Sequence, residues 1–164
     1  MLRAPIIVEA EIQHFESQLA RLGRGELSAE AFKPLRLQYG VYSTRGSARQ
    51  MLRIRVPLGR VTPGQLDAVA DICDRWAMPR LAHVTTRQDV QLYGLEPSRV
   101  PIVLRALAAA GLTTREASGN VIRNITCCPW AGVSPEEPFD ITPYAEAVAD
   151  YFLRNPISQL LPRK

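Results

Sequence analysis

Hydrophobic positions recur along this chain with two periods, and the switches between them outline its elements. Ile12, Phe15, Leu19 and Leu22 follow helical spacing and Gly23 comes next, which predicts an amphipathic helix over residues 8–22. Ser28 offers a cap for a short turn ending before Pro34; residues 35–42 read as weakly alternating extended chain and 44–50 as a polar loop. From Met51 to Val56 the alternation is strict, with Leu52, Ile54 and Val56 on one face. Pro57-Leu58-Gly59 turns the chain. Thr62-Pro63-Gly64-Gln65 then combines an N-cap threonine, a proline in the first turn and a capping-box glutamine. Leu66, Val69, Ala70, Cys73 and Trp76 mark the apolar face of the helix that follows. Residues 81–86 and 90–95 read as two strands joined by a polar turn. Ser98 caps a second helix with Val100, Val103, Leu104 and Leu107 inward, Gly111 ends it, and residues 112–117 return as a strand.

The order β-α-β-β-α-β predicts an α+β, ferredoxin-like half-domain over residues 47–117, with both helices on one sheet face and the other face open. Residues 1–46 form a helical and extended lead-in. Beyond Gly119 the texture changes: a mixed stretch over 120–128, a loop over 129–138, then a helix from Thr142-Pro143 to about residue 154, stopped by Asn155-Pro156. Residues 118–164 therefore read as the beginning of a second α+β domain, incomplete in this chain.

Composition narrows the class. At 164 residues and 46% hydrophobic content, a globular core is within reach and wholesale disorder is not indicated. The net charge of +4 and a pI near 9.2 are basic without being extreme, so the location of the arginines matters more than their total. Three cysteines, two of them adjacent, do not make a secreted disulfide framework. The amino terminus lacks a signal-peptide pattern, and no stretch approaches the roughly 18 apolar residues of a membrane span, so the expectation is a soluble cytoplasmic protein.

Candidate chemistry falls in three places. Met51, Arg53 and Arg55 lie opposite the apolar face of their strand, and two arginines at a two-residue repeat read either as solvated charge or as an anion surface. Thr85-Thr86-Arg87-Gln88-Asp89-Val90-Gln91 packs hydroxyls, a guanidinium and amides into one hairpin, a donor set suited to carboxylates or oxyanions. Arg123 sits among Val121, Ile122 and Ile125, where an unpaired charge would be costly. Cys127 and Cys128 are poor chelators without an accompanying Cys-x-x-Cys and read better as small buried hydrophobes; no metal ligand is assigned. His14 and His83 are isolated. A terminal Arg163-Lys164 pair reads by itself as solvated charge.

These runs, together with Gly119 to Pro129 and Leu161-Pro162-Arg163-Lys164, occur in the order seen in sirohaem-dependent sulfite and nitrite reductases, and the resemblance extends from about Phe32 to the last residue. The resemblance implies six-electron reduction of sulfite to sulfide or nitrite to ammonia at a sirohaem bridged to a 4Fe-4S cluster. It implies that Arg53, Arg123 and Lys164 face the oxyanion, and that Thr85, Arg87 and Gln91, with Gln88 and Arg55 as neighbours, meet the sirohaem carboxylates. Its partners would be the substrate anion, an electron donor such as ferredoxin or a flavoprotein subunit, and the carboxy-terminal half of the same enzyme, with no nucleic acid or membrane. The cluster cysteines of that family are absent here, so the chain is expected to be an amino-terminal portion, inactive alone. The alternatives are a tetrapyrrole-binding or assembly subunit and an RNA-binding module. The second is disfavoured because arginines, Thr85 and Gln91 stand where aromatic residues would be needed.

Overall fold

The computed structural model describes residues 9–44, 46–159 and 161–162. Four antiparallel strands, β1 (Val41–Ser43), β2 (Gln50–Ile54), β3 (Ala82–Val84) and β4 (Val90–Leu95), lie in the order β1-β2-β4-β3. The helices are α1 (Glu9–Gly23), α2 (Ala29–Gln38), α3 (Pro63–Trp76), α4 (Val100–Ala109) and α5 (Thr142–Phe152). The α+β class and the ferredoxin-like layering follow from the alternation of β2. Leu52 and Ile54 are fully buried beneath the helical layer, together with Leu92 and Leu95 of β4. Val100, Val103, Leu104 and Leu107 of α4 close that core as their spacing predicts.

Several boundaries differ from the sequence expectation, each for a tertiary reason. Residues 29–38 are one helix, capped by Ser28, with Pro34 inside it. Burial of Phe32 against Phe15, with Tyr39 also against Phe15, offsets the hydrogen bond that proline forfeits. The apolar stripe of α3 is rotated: Ile72 is buried with Val69 and Cys73, and Leu66 is exposed. No side chain caps α4, whose first turn is preceded by a 3₁₀ turn over Pro97–Arg99 in place of a Ser98 cap. Helix α5 ends at Phe152, and Arg154 has a positive φ of 61°.

The fourth strand of the β-α-β-β-α-β unit shrinks to a single bridge between Arg55 and Thr113. The same edge of β2 is already occupied upstream by β1, where the Arg53 amide donates to Gly40 O at 2.9 Å. The Arg55 amide donates to Thr113 O at 2.8 Å further along. Two segments thus share one strand edge.

The second sheet face is not open along its length. Residues 113–159 fold across one end of it, and Arg55 is 1% exposed there. Its guanidinium donates to Ala149 O of α5 at 3.3 Å and lies 4.0 Å from the Glu116 carboxylate. Glu116 in turn accepts from the Arg154 amide at 3.0 Å and from the Gln159 side chain at 3.0 Å. Among the described residues no helix is long and apolar enough to cross a membrane.

Candidate anion-binding site

The β3–β4 hairpin is closed by its own side chains. The Thr85 amide donates to Asp89 O at 2.8 Å, and Thr85 Oγ1 accepts from the amides of Arg87 and Asp89, each at 3.2 Å. Gln88 takes the left-handed conformation, with φ 62°, that this tight return needs. Thr86 and Arg87 are left exposed at the tip.

Residues 119–131 are clipped onto this hairpin. Asn124 Nδ2 donates to both Arg87 O and Val56 O at 2.8 Å. Gln88 donates from Nε2 to Cys127 O at 2.7 Å and accepts at Oε1 from the Cys127 amide at 3.1 Å. The Leu58 amide adds a bond to Ile125 O at 2.8 Å. The clip forms one wall of a cleft of about 430 Å³ that Arg87 shares with Arg123, Asn120 and Leu161. Arg123 Nε donates to Gly119 O at 3.0 Å, which aims the side chain. Among the described residues the other Arg123 nitrogens and the Arg87 guanidinium form no hydrogen bond or ion pair with protein, so two arginines with unspent donors line one cleft.

Arg53 stands apart from that cleft, on the second sheet face. Its guanidinium stacks over Tyr42 at 5.3 Å and donates to Ala117 O at 3.3 Å. Register sets Gln91 directly across from both Arg53 and His83. With the Gln91 amide turned to satisfy both neighbours, its oxygen accepts from Arg53 at 2.7 Å and its nitrogen meets the Tyr93 hydroxyl at 2.9 Å. The His83 ring lies 5.0 Å from that of Tyr93.

The grouping therefore differs from the one the sequence suggests. Arg87 pairs with Arg123 in one cleft, and Arg53 pairs with Gln91 on the sheet. Thr85 spends its oxygen on the turn. Gln88 forms a bond at each end of its amide to Cys127, and Arg55 is buried beneath α5; a strand alternation read without α5 could not show the burial. Lys164 lies outside the described residues. Of the cysteines, Cys73 is buried, Cys127 half-buried and Cys128 exposed, so the small-hydrophobe reading does not hold for Cys128. Among the described residues no cluster of three or more His, Cys, Asp or Glu is placed to hold a metal ion.

Sequence reasoning missed the bridging role of Asn124. Its place in the Arg-Asn run was visible, but the two carbonyls it joins are 68 and 37 residues away. It also missed Asp89, which is fully buried beneath the hairpin. Asp89 Oδ1 accepts from the Val56 amide at 3.2 Å, while Oδ2 has no partner. Burial pushes its carboxyl up to about 6, against the pull of Arg53, Arg55 and Arg87.

Residues 44–110 match the family described as the nitrite/sulfite reductase ferredoxin-like half domain. Over 97% of its length the chain is 33% identical to a ferredoxin–nitrite reductase of Leptolyngbya laminosa, of which it covers 31%. It is 35% identical over 71% of its length to the chloroplastic ferredoxin–nitrite reductase of Zea mays, covering 21% of that protein. The chain thus spans less than a third of the length of these relatives. The Mycobacterium tuberculosis NirA protein shares the fold over 99% of this chain and 34% of its own, with a TM-score of 0.76 and 23% identity.

Proposed function

We propose that this chain, which belongs to the sirohaem-dependent sulfite and nitrite reductase family, supplies an anion-binding wall of a nitrite reductase that draws electrons from ferredoxin. The observation that carries the reading is the pair Arg87 and Arg123, two guanidiniums with unspent donors in one cleft. Nitrite, rather than sulfite, and ferredoxin as donor are favoured by the names of the relatives.

The donor set fits a polycarboxylate such as sirohaem. Arg87 and Arg123 can each form forked, charge-assisted bonds to a carboxylate, and the exposed Asn120 amide borders the same space. The Thr85 hydroxyl, which accepts within the turn, retains its proton to donate. Bound there, sirohaem with a 4Fe-4S cluster would pass to nitrite, one at a time, the six electrons drawn from ferredoxin that take it to ammonia, the cluster ligands belonging to other residues of the enzyme.

In this reading the chain's own groups bind, orient and charge the site. Arg53, held by Gln91 and Tyr42, offers a fixed cation to the oxyanion, and Lys164 adds a cation that can carry a proton. Gln88 and Asn124 position the cleft wall, and Arg55 compensates buried carboxylates. The same reading divides the chain near residues 46 and 117, with 118–164 contributing Arg123 and Lys164.

The test uses the full chain co-expressed with enzymes that make sirohaem, then purified for its absorption spectrum. The chain is expected to retain a tetrapyrrole band, and the Arg87→Ala/Arg123→Ala double variant to lose at least tenfold of it at unchanged circular dichroism. No band in the unaltered chain, or equal bands in both, rejects the assignment.

A further inference from the structure

On the helical side of the sheet, α1, α2 and β1 line a second cavity of about 290 Å³. Phe15, Leu19, Leu22, Phe32 and Val41 supply its apolar wall. That volume is at the lower end of those that hold small organic ligands.

Three features make it more than a packing gap. Gln50 lines the cavity from β2, in the register of Leu52 and Ile54, where an apolar side chain would be expected. Its Nε2 donates to Ala48 O at 3.3 Å, which orients the amide and leaves Oε1 buried with no partner. A buried acceptor without a donor is costly and is satisfied by whatever enters. Arg36 and Lys33, successive on one face of α2, stand among the lining residues. One Arg36 nitrogen donates to Val41 O at 3.0 Å, and burial holds this guanidinium below its ordinary value, against the pull of Glu30. Lys33 lies 3.6 Å from Glu30, which also lines the cavity, so the three charges leave one net positive charge there.

We propose that this cavity is a binding site for a small organic acid: an apolar aromatic or short aliphatic body among Phe15, Leu19 and Phe32, its carboxylate on Arg36 and Lys33, and a hydroxyl or N–H donor, where present, on Gln50. The site is independent of the reductase reading. It uses neither Arg87 nor Arg123.

The experiment titrates the ¹⁵N-labelled full chain with phenylbutyrate, using phenylbutylamine and acetate as controls for charge and for the apolar body. Phenylbutyrate is expected to shift amides of α1, α2 and β1 in a saturable manner, with both controls at least tenfold weaker. Arg36→Gln/Lys33→Gln should weaken phenylbutyrate at least tenfold. Ala29→Phe, a change at an exposed lining position that narrows the cavity, should abolish binding without unfolding the chain. Arg87→Ala/Arg123→Ala should leave it unchanged, which separates this site from the cleft. Absence of saturable shifts, shifts confined to residues 85–91 and 119–124, equal binding of phenylbutylamine, or insensitivity to both cavity variants would each overturn the assignment.

Discussion

At the scale of single residues, Asp89 is where burial and charge oppose each other most sharply. It is fully buried with one oxygen unpartnered, and its carboxyl is raised to about 6 from 3.8. The folded state therefore binds this proton more tightly than the unfolded chain does. The stability it contributes is fully present below the unfolded value and is lost as pH rises through about 6. A rise of that size corresponds to about 3 kcal/mol. Urea denaturation near pH 4 and near pH 7 should show that loss, and Asp89→Asn should flatten it. A slope that survives in the variant would assign the effect elsewhere. The same residue shows how far a local reading reaches: its place in a polar hairpin was plain, while its depth depended on strand β2 and on the segment that Gln88 draws over it.

At the scale of elements, the capping box of α3 was fully legible and forms as the spacing implies. Thr62 Oγ1 accepts from the Gln65 amide at 3.2 Å, and Gln65 Oε1 accepts from the Thr62 amide at 2.9 Å. All four groups lie within one turn, so nothing distant can alter the outcome. The clip between residues 119–131 and the hairpin is the opposite case, since Asn124 and Gln88 reach carbonyls and amides far along the chain. Asn124→Ala removes two hydrogen bonds of 2.8 Å and should cost about 2 kcal/mol. Hydrogen exchange should register it locally, with the Leu58 and Cys127 amides exchanging faster than those of α4. Uniform acceleration across the chain would mean that the clip is not a separate unit.

For the molecule as a whole, Glu116 is the junction between the sheet and residues 141–159. It faces the buried Arg55 and accepts from the Arg154 amide and the Gln159 side chain. Glu116→Ala leaves Arg55 buried without its nearest carboxylate, a change expected to cost about 3–5 kcal/mol. Limited proteolysis should then cut the 129–141 loop earlier than in the unaltered chain, with the sheet retained. Unchanged cleavage would show that α5 is held by its apolar contacts alone.

The local patterns of this sequence determined its α+β class, the strands β2 and β4, the cap of α3, the inward face of α4 and the residues of the cationic hairpin. Each depends on neighbours within a few positions, where periodicity, cap chemistry and turn preference act without outside help. Tertiary structure alone decided that Arg55 is covered by α5, that Gln88 is spent on Cys127, that Pro34 stays inside a helix, and that residues 41–43 and Thr113 share one strand edge. The reason is common to all four. The free energy of a charge, an amide or an unpaired strand edge depends on whether water or another segment meets it, and here that segment is often tens of residues away.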